Sequence, residues 1–209
     1  MPSLRAYTSR CKRYLEKDSV GKLKGTIIDV ETIGEFSDCD GLGRYKRIRP
    51  IVVGFLDCDL LEILYITKEA HRDFDELKSA LRTKLCEVDH PLYAFNTKFE
   101  MGVFYWFLGK TVTFDRDLMF RVNTSYGRTV WESKRYLVKD LGIPNFDDPF
   151  RDMGYKVPEA WENFQKTGNP RFLWEIIRHN RACLLKEYAI LRKRKRWREV
   201  NKTNNRRAG

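Results

Sequence analysis

The sequence predicts a mixed α/β sheet with helices on both faces. Three observations predict it. Short apolar runs rich in β-branched residues recur in the first third of the chain, at 26–28, 50–56 and 61–67. Apolar residues at helical spacing begin at 71, where Phe74, Leu77, Leu81 and Leu85 line up. From there strand-like and helix-like segments alternate.

Taken in order, Thr26-Ile27-Ile28 opens a buried strand, and a Gly- and Asp-rich turn follows over 37–43. Asp57-Cys58-Asp59 is a tight turn between two strands, which makes them a hairpin and, with the first, an antiparallel meander of three. The helix over 71–85 carries acids early and bases late, in accord with the helix dipole. A fourth strand over 91–95 leads into an apolar helix over 98–108, ended by Gly109. A fifth strand is expected over 111–114 and a helix over 131–141, stopped by Gly142 and Pro144. Residues 145–157 read as irregular. Pro158 begins a short helix over 159–166, and one long helix runs from 170 to about 196.

With 209 residues, 42% of them hydrophobic, the chain has the material for one domain with a real core. It has no apolar run of about 18 residues and no apolar N-terminal region, so neither a membrane span nor a secretory signal is expected. Its five cysteines form no C-x-x-C pair, which argues against a disulfide framework or a structural zinc site. An intracellular location, cytoplasmic or nucleoid-associated, is expected.

The net charge of +11 sits at the ends. Residues 1–24 carry +5 and residues 192–209 carry +8, leaving −2 for 25–191. The chain thus divides into a basic N-terminal segment (1–24), a domain (25–191) and a basic tail (192–209). A slightly acidic body with basic ends suits a phosphate-binding protein whose chemistry uses carboxylates. Arg192, Lys193 and Arg194 are candidate phosphate contacts, and Trp197 adds a stacking surface. Basic tails also serve solubility alone.

Asp29 and Glu31 stand at spacing two where the first strand ends. Side chains alternate along a strand, so both carboxylates project from one face. Their repulsion is relieved by a cation, and hard ions such as Mg²⁺ take oxygen ligands of this kind. The pair is equally compatible with a strand end entering an acidic turn. Glu100 falls in the first turn of the second helix, where negative charge is favoured in any case. His179, Cys183 and Glu187 follow at i, i+4 and i+8 on one stripe of the long helix.

Together these stretches resemble the DEDD (DnaQ-like) exonuclease superfamily, which has the RNase H-like fold, and within it the YprB-like RNase H domains. Asp29-Val30-Glu31-Thr32 resembles the first motif, Asp-x-Glu-Thr. Asn96-Thr97-Lys98-Phe99-Glu100 resembles the second, Asn-x-x-Phe-Asp, and His179-Asn180-Arg181-Ala182-Cys183 the third, His-Asn-x-x-Asp. Phe114 to Leu118 and Tyr136 to Ile143 are similar to two supporting segments of that branch, so the resemblance covers about residues 25–191. It implies a two-metal Mg²⁺ or Mn²⁺ site on Asp29, Glu31 and Glu100, with His179 orienting or deprotonating the attacking water. It also implies substrate contacts at Thr32, Asn96 and Asn180.

Two positions depart from the pattern. Glu100 replaces an Asp but remains a hard anionic ligand. Cys183 replaces the last Asp with a thiol, a soft ligand that Mg²⁺ binds poorly, so one of the two ions is expected to be held weakly. Glu187 lies one turn further, about 6 Å along the axis, and is expected to reach the site only if the helix slides or rotates. The expected function is a metal-dependent nuclease on DNA or RNA, a 3′–5′ exonuclease. The alternative is a catalytically impaired relative that binds nucleic acid among replication or repair proteins.

Overall fold

The computed structural model describes residues 12–17, 23–58, 60–119, 121–123, 129–131 and 133–207. Its main sheet has six strands in the order β1-β4-β3-β2-β5-β6. These are β1 (Lys12–Lys17), β2 (Thr26–Ile33), β3 (Arg49–Asp57), β4 (Leu60–Tyr65), β5 (Leu92–Ala94) and β6 (Arg116–Asp117). The meander β2-β3-β4 is antiparallel, whereas β5 runs parallel to β2 and β6 parallel to β5. The mixed sheet expected from the sequence is therefore present, in an order compatible with an RNase H-like fold. β2 lies inside the sheet, and its residues 26–31 are buried.

Among the described residues five α-helices accompany the sheet: α1 (His71–Glu87), α2 (Thr97–Leu108), α3 (Lys134–Asp140), α4 (Val157–Thr167) and α5 (Pro170–Arg207). They cover both faces. Lys84 of α1 pairs with Glu62 of β4 at 2.8 Å and lies over the Phe55 ring, on one face. Gly54 meets α5 on the other. A Cβ on Gly54 would lie 2.1 Å from Asn180 Oδ1 and 2.7 Å from Leu184 Cδ1. Glycine is thus what lets α5 lie close against β3. Asp29 is the cross-strand partner of Gly54, so the same close approach brings α5 onto the candidate acids.

Four expectations are revised. The basic N-terminal segment contributes a strand, β1, which pairs antiparallel with β4 and extends the sheet by one. The fifth strand of the domain is 116–117 and not 111–114, because Asp115 and Leu118 are the residues whose N–H groups reach the Leu92 and Ala94 carbonyls. The helix expected from 131 starts at Lys134, and Thr129–Trp131 pairs instead with Arg121–Asn123 as a two-stranded ribbon. The long helix continues to Arg207, so the basic tail is helical to that point. No helix among the described residues is long and apolar enough to cross a membrane.

Candidate active site

The site is built where β2, α2, α3 and α5 meet. Asp29 and Glu31 share a face of β2, 7% and 6% exposed, and a bulge follows Glu31. Glu100 is 3% exposed in the first turn of α2. That turn is fixed from below by Asp117 of β6, whose carboxylate accepts the N–H groups of Asn96 (3.0 Å) and Thr97 (3.2 Å) and the Thr97 hydroxyl (3.0 Å). A side-chain oxygen that satisfies the free N–H groups of a helix start sets the position of the helix. Asn96 takes a left-handed conformation, φ 73°, to make the turn. This bears on the substrate contact expected there: Asn96 has a clear part in building the α2 start.

α5 supplies the opposite wall. Asn180, fully buried, donates from Nδ2 to the Asp29 backbone carbonyl (3.1 Å) and to Asp29 Oδ2 (2.8 Å). Asn180, where a substrate contact is expected, holds Asp29 in place in this structure. His179 Nε2 lies 3.8 Å from Glu31 Oε1 and 3.8 Å from Cys183 Sγ. Glu187 is also in the site, which corrects the expectation that α5 must slide. Helical side chains lean toward the helix N-terminus, so the Glu187 carboxylate reaches back over the preceding turn.

Two residues absent from the sequence reading complete the arrangement. Lys134, in the first turn of α3, donates from Nζ to Asp29 Oδ1 (3.0 Å) and Glu187 Oε1 (2.5 Å), above the Phe95 ring. Asp148, in the loop before α4, accepts a hydrogen bond from His179 Nδ1 (2.7 Å) and pairs with Lys186 Nζ (2.6 Å), which also binds Asp152 (2.8 Å). A signal for this second group was present in the sequence. Lys186 and Glu187 together interrupt an otherwise apolar stretch of α5, Leu184 to Ile190, and a buried charge requires a buried partner. Nothing comparable marked Lys134.

Burial and mutual repulsion set the charges. Burial raises the Asp29 pKa, but Lys134 and His179 more than offset it, and Asp29 titrates below its ordinary value. Burial pushes Glu31 and Glu187 each up to about 8, with Asp29 adding to the rise. Burial, Asp29 and Glu187 push Glu100 well up. Burial pulls His179 down, but Cys183, Glu31 and Asp148 carry it up to about 12. Cys183 is itself pushed up by burial to about 11 and is a thiol near neutral pH. The rise in His179 therefore rests there on the carboxyl groups of Glu31 and Asp148, and Asp148 is held below its ordinary value. His179 carries its proton in this arrangement, whereas a free imidazole near 6.5 would not.

The carboxylates present a hard oxygen donor set with spare capacity. Glu100 Oε2 and Glu187 Oε2 are buried and receive no hydrogen bond. Four acids from three elements face one ammonium, and orphaned buried carboxylate oxygens of this kind fit a Mg²⁺- or Mn²⁺-class ion. Glu31, His179 and Cys183 form a second grouping, with ligand atoms all within 4.8 Å of one another. Of the other expected contacts, Thr32 is half-buried at the bulge. Arg192 and Lys193 are exposed at the end of the packed part of α5, Arg192 over the Tyr188 ring and Lys193 on the Leu141 carbonyl. The side chains of Arg194 and Trp197 lie outside the described residues.

No protein-family model and no curated protein sequence matches the chain. Among solved structures, the family B DNA polymerase from the hyperthermophilic archaeon Pyrobaculum calidifontis is similar at 13% identity and a TM-score of 0.46. The likeness covers 81% of this chain and 24% of that one. A likeness that loose carries no argument about function.

Proposed function

We propose that the chain is a metal-dependent nuclease that hydrolyses phosphodiester bonds of DNA or RNA from 3′ ends. The observation that supports it is the convergence of Asp29, Glu31, Glu100 and Glu187, from β2, α2 and α5, with two carboxylate oxygens left without a donor. Asp29, Glu31 and Glu100 would hold the ion, with Glu187 in the place left open by Cys183. A bound Mg²⁺ or Mn²⁺ supplies Lewis acidity and a nucleophilic water near neutral pH.

The chain's own residues prepare that chemistry. Asn180 fixes the Asp29 carboxylate from the backbone side. Asp148 fixes the His179 ring and keeps its proton, so His179 faces the acids as a proton-bearing group. The basic end of α5 provides phosphate contacts.

A second reading is favoured by Lys134. Its ammonium stands between Asp29 and Glu187, where it supplies the positive charge an ion would otherwise bring. If Lys134 stays there, the chain is a catalytically impaired relative that binds nucleic acid among replication or repair proteins. The test is cleavage of 3′- and 5′-labelled DNA and RNA oligonucleotides with Mg²⁺, Mn²⁺ or chelator. A ladder shortening from the 3′ end, dependent on metal and lost in Asp29→Asn, supports the nuclease. Binding without cleavage under every metal condition supports the impaired relative.

A further inference from the structure

We infer that Glu31, His179 and Cys183 form a binding site for a borderline-soft divalent cation of the Zn²⁺ class, beside the oxygen cluster of Asp29, Glu100 and Glu187 and sharing Glu31 with it. The inference does not rest on the nuclease reading, because it requires no nucleic acid and no Mg²⁺.

Geometry comes first. His179 Nε2 is 3.8 Å from both Cys183 Sγ and Glu31 Oε1, and all three ligand atoms lie within 4.8 Å of one another. Bonds of about 2.0–2.3 Å at tetrahedral angles separate neighbouring ligand atoms by roughly 3.4–3.6 Å. His179 needs a shift of a few tenths of an ångström, and Glu31 and Cys183, within 4.8 Å of each other, close on the ion by side-chain adjustment of about an ångström. His179 and Cys183 stand at i and i+4 on α5, so one helix face presents both.

The surroundings orient the ligand. Asp148 accepts the Nδ1–H of His179 at 2.7 Å and is itself held by Lys186 and by the N–H groups of Phe150 and Asp152, each at 2.8 Å. This leaves Nε2 as the ligand atom, in the carboxylate–histidine relay that metal-binding histidines commonly use. The Phe150 ring packs 5.1 Å from the imidazole. Gly154 faces Nε2, and even a Cβ there would lie 3.8 Å away, so the glycine leaves room beside the ring for a water as fourth ligand.

Donor chemistry selects the ion. A thiolate and an imidazole favour Zn²⁺ or Co²⁺ over Mg²⁺. Binding removes the protons carried by Cys183 Sγ, His179 Nε2 and the Glu31 carboxyl, all released to solvent. With such an ion in place, His179 is a ligand and no longer a proton carrier.

Co²⁺ tests this as a spectroscopic probe on the chelator-treated full chain. The expected result is a near-ultraviolet thiolate-to-cobalt band that Zn²⁺ abolishes and excess Mg²⁺ does not. Cys183→Ser, which keeps the other four cysteines, should lose the band and weaken Co²⁺ binding at least tenfold, and Cys183→Ala should do the same. No band in the native chain, or an equal band in either variant, overturns the inference. Asp29→Asn should retain the band, so loss of cleavage with the band intact bears only on the nuclease reading.

Discussion

Lys134 reaches from the first turn of α3 to place its ammonium 3.0 Å from Asp29 Oδ1. The same nitrogen lies 2.5 Å from Glu187 Oε1, so one side chain joins two acids that the chain contributes from distant positions. Burial pulls its pKa down, but Asp29, Cys183 and Glu187 hold it well above the ordinary lysine value. It is a fixed cation inside an acidic site.

A fixed cation competes with a bound one. Lys134→Met should raise Mn²⁺ affinity at least tenfold, about 1.4 kcal/mol, read by calorimetry. Removing one partner from buried ion pairs costs about 3–5 kcal/mol, so metal-free stability should fall by about that amount and return with Mn²⁺. Unchanged Mn²⁺ affinity in a folded variant would show that the ammonium and the ion do not share a place.

Asp29→Asn should abolish metal-dependent cleavage. Its effect on stability has a sign that the isolated acid pair does not give. Two like charges on one strand face suggest relief on neutralisation. In the structure Lys134 and Asn180 favour the ionised Asp29, so the variant should lose about 1–3 kcal/mol in urea titration.

Glu31 and Glu187 make metal-free stability fall as pH rises. Their folded pKa values, about 8, lie above the ordinary 4.5, so between those limits the folded chain binds more protons than the unfolded chain. Stability contributed by protonation is full below about 4.5 and is lost as pH climbs to about 8. His179, raised from 6.5 to about 12, acts in the same direction above 6.5. Melting temperatures with chelator at pH 5, 6, 7 and 8 should decline in order, and Glu187→Gln should flatten the decline. A flat or rising native profile contradicts these charges.

Asp148 is the anchor of a buried network that includes His179 and Lys186. Asp148→Ala leaves both partners buried with reduced compensation and should cost about 3–5 kcal/mol in urea unfolding. It should also lower the pKa of His179, read from its imidazole NMR shift. A cost within 1 kcal/mol contradicts a firmly paired network.

The basic end of α5 is the proposed phosphate contact. If about three to five of its bases engage, removing 192–209 should flatten the slope of log K against log salt by about 2 to 4 for a labelled oligonucleotide. Identical slopes with and without the segment assign its charge to another purpose.

The sequence by itself determined the antiparallel meander β2-β3-β4, the strand β5 and the first half of the site, but neither β1 nor the position of β6. Alternation along β2 puts Asp29 and Glu31 on one face whatever surrounds them, and the strand-to-helix change at Asn96 puts Glu100 in a first helical turn. The order of apolar runs likewise carries the meander and the parallel strand β5. Tertiary structure decided the rest, because long-range packing has no local periodicity. Gly54 reads as a weak point in a strand until Asn180 and Leu184 are seen against it. Lys134 lies 105 residues from Asp29 in an ordinary amphipathic turn, and only the docking of α3 aims it inward. Residues 145–157 read as irregular because their order comes from the Asp148 carboxylate, whose partners Lys186 and His179 lie more than 30 residues further along the chain. Axial distance alone puts Glu187 too far from the site, since the reach of a side chain depends on its lean and on the cation that meets it.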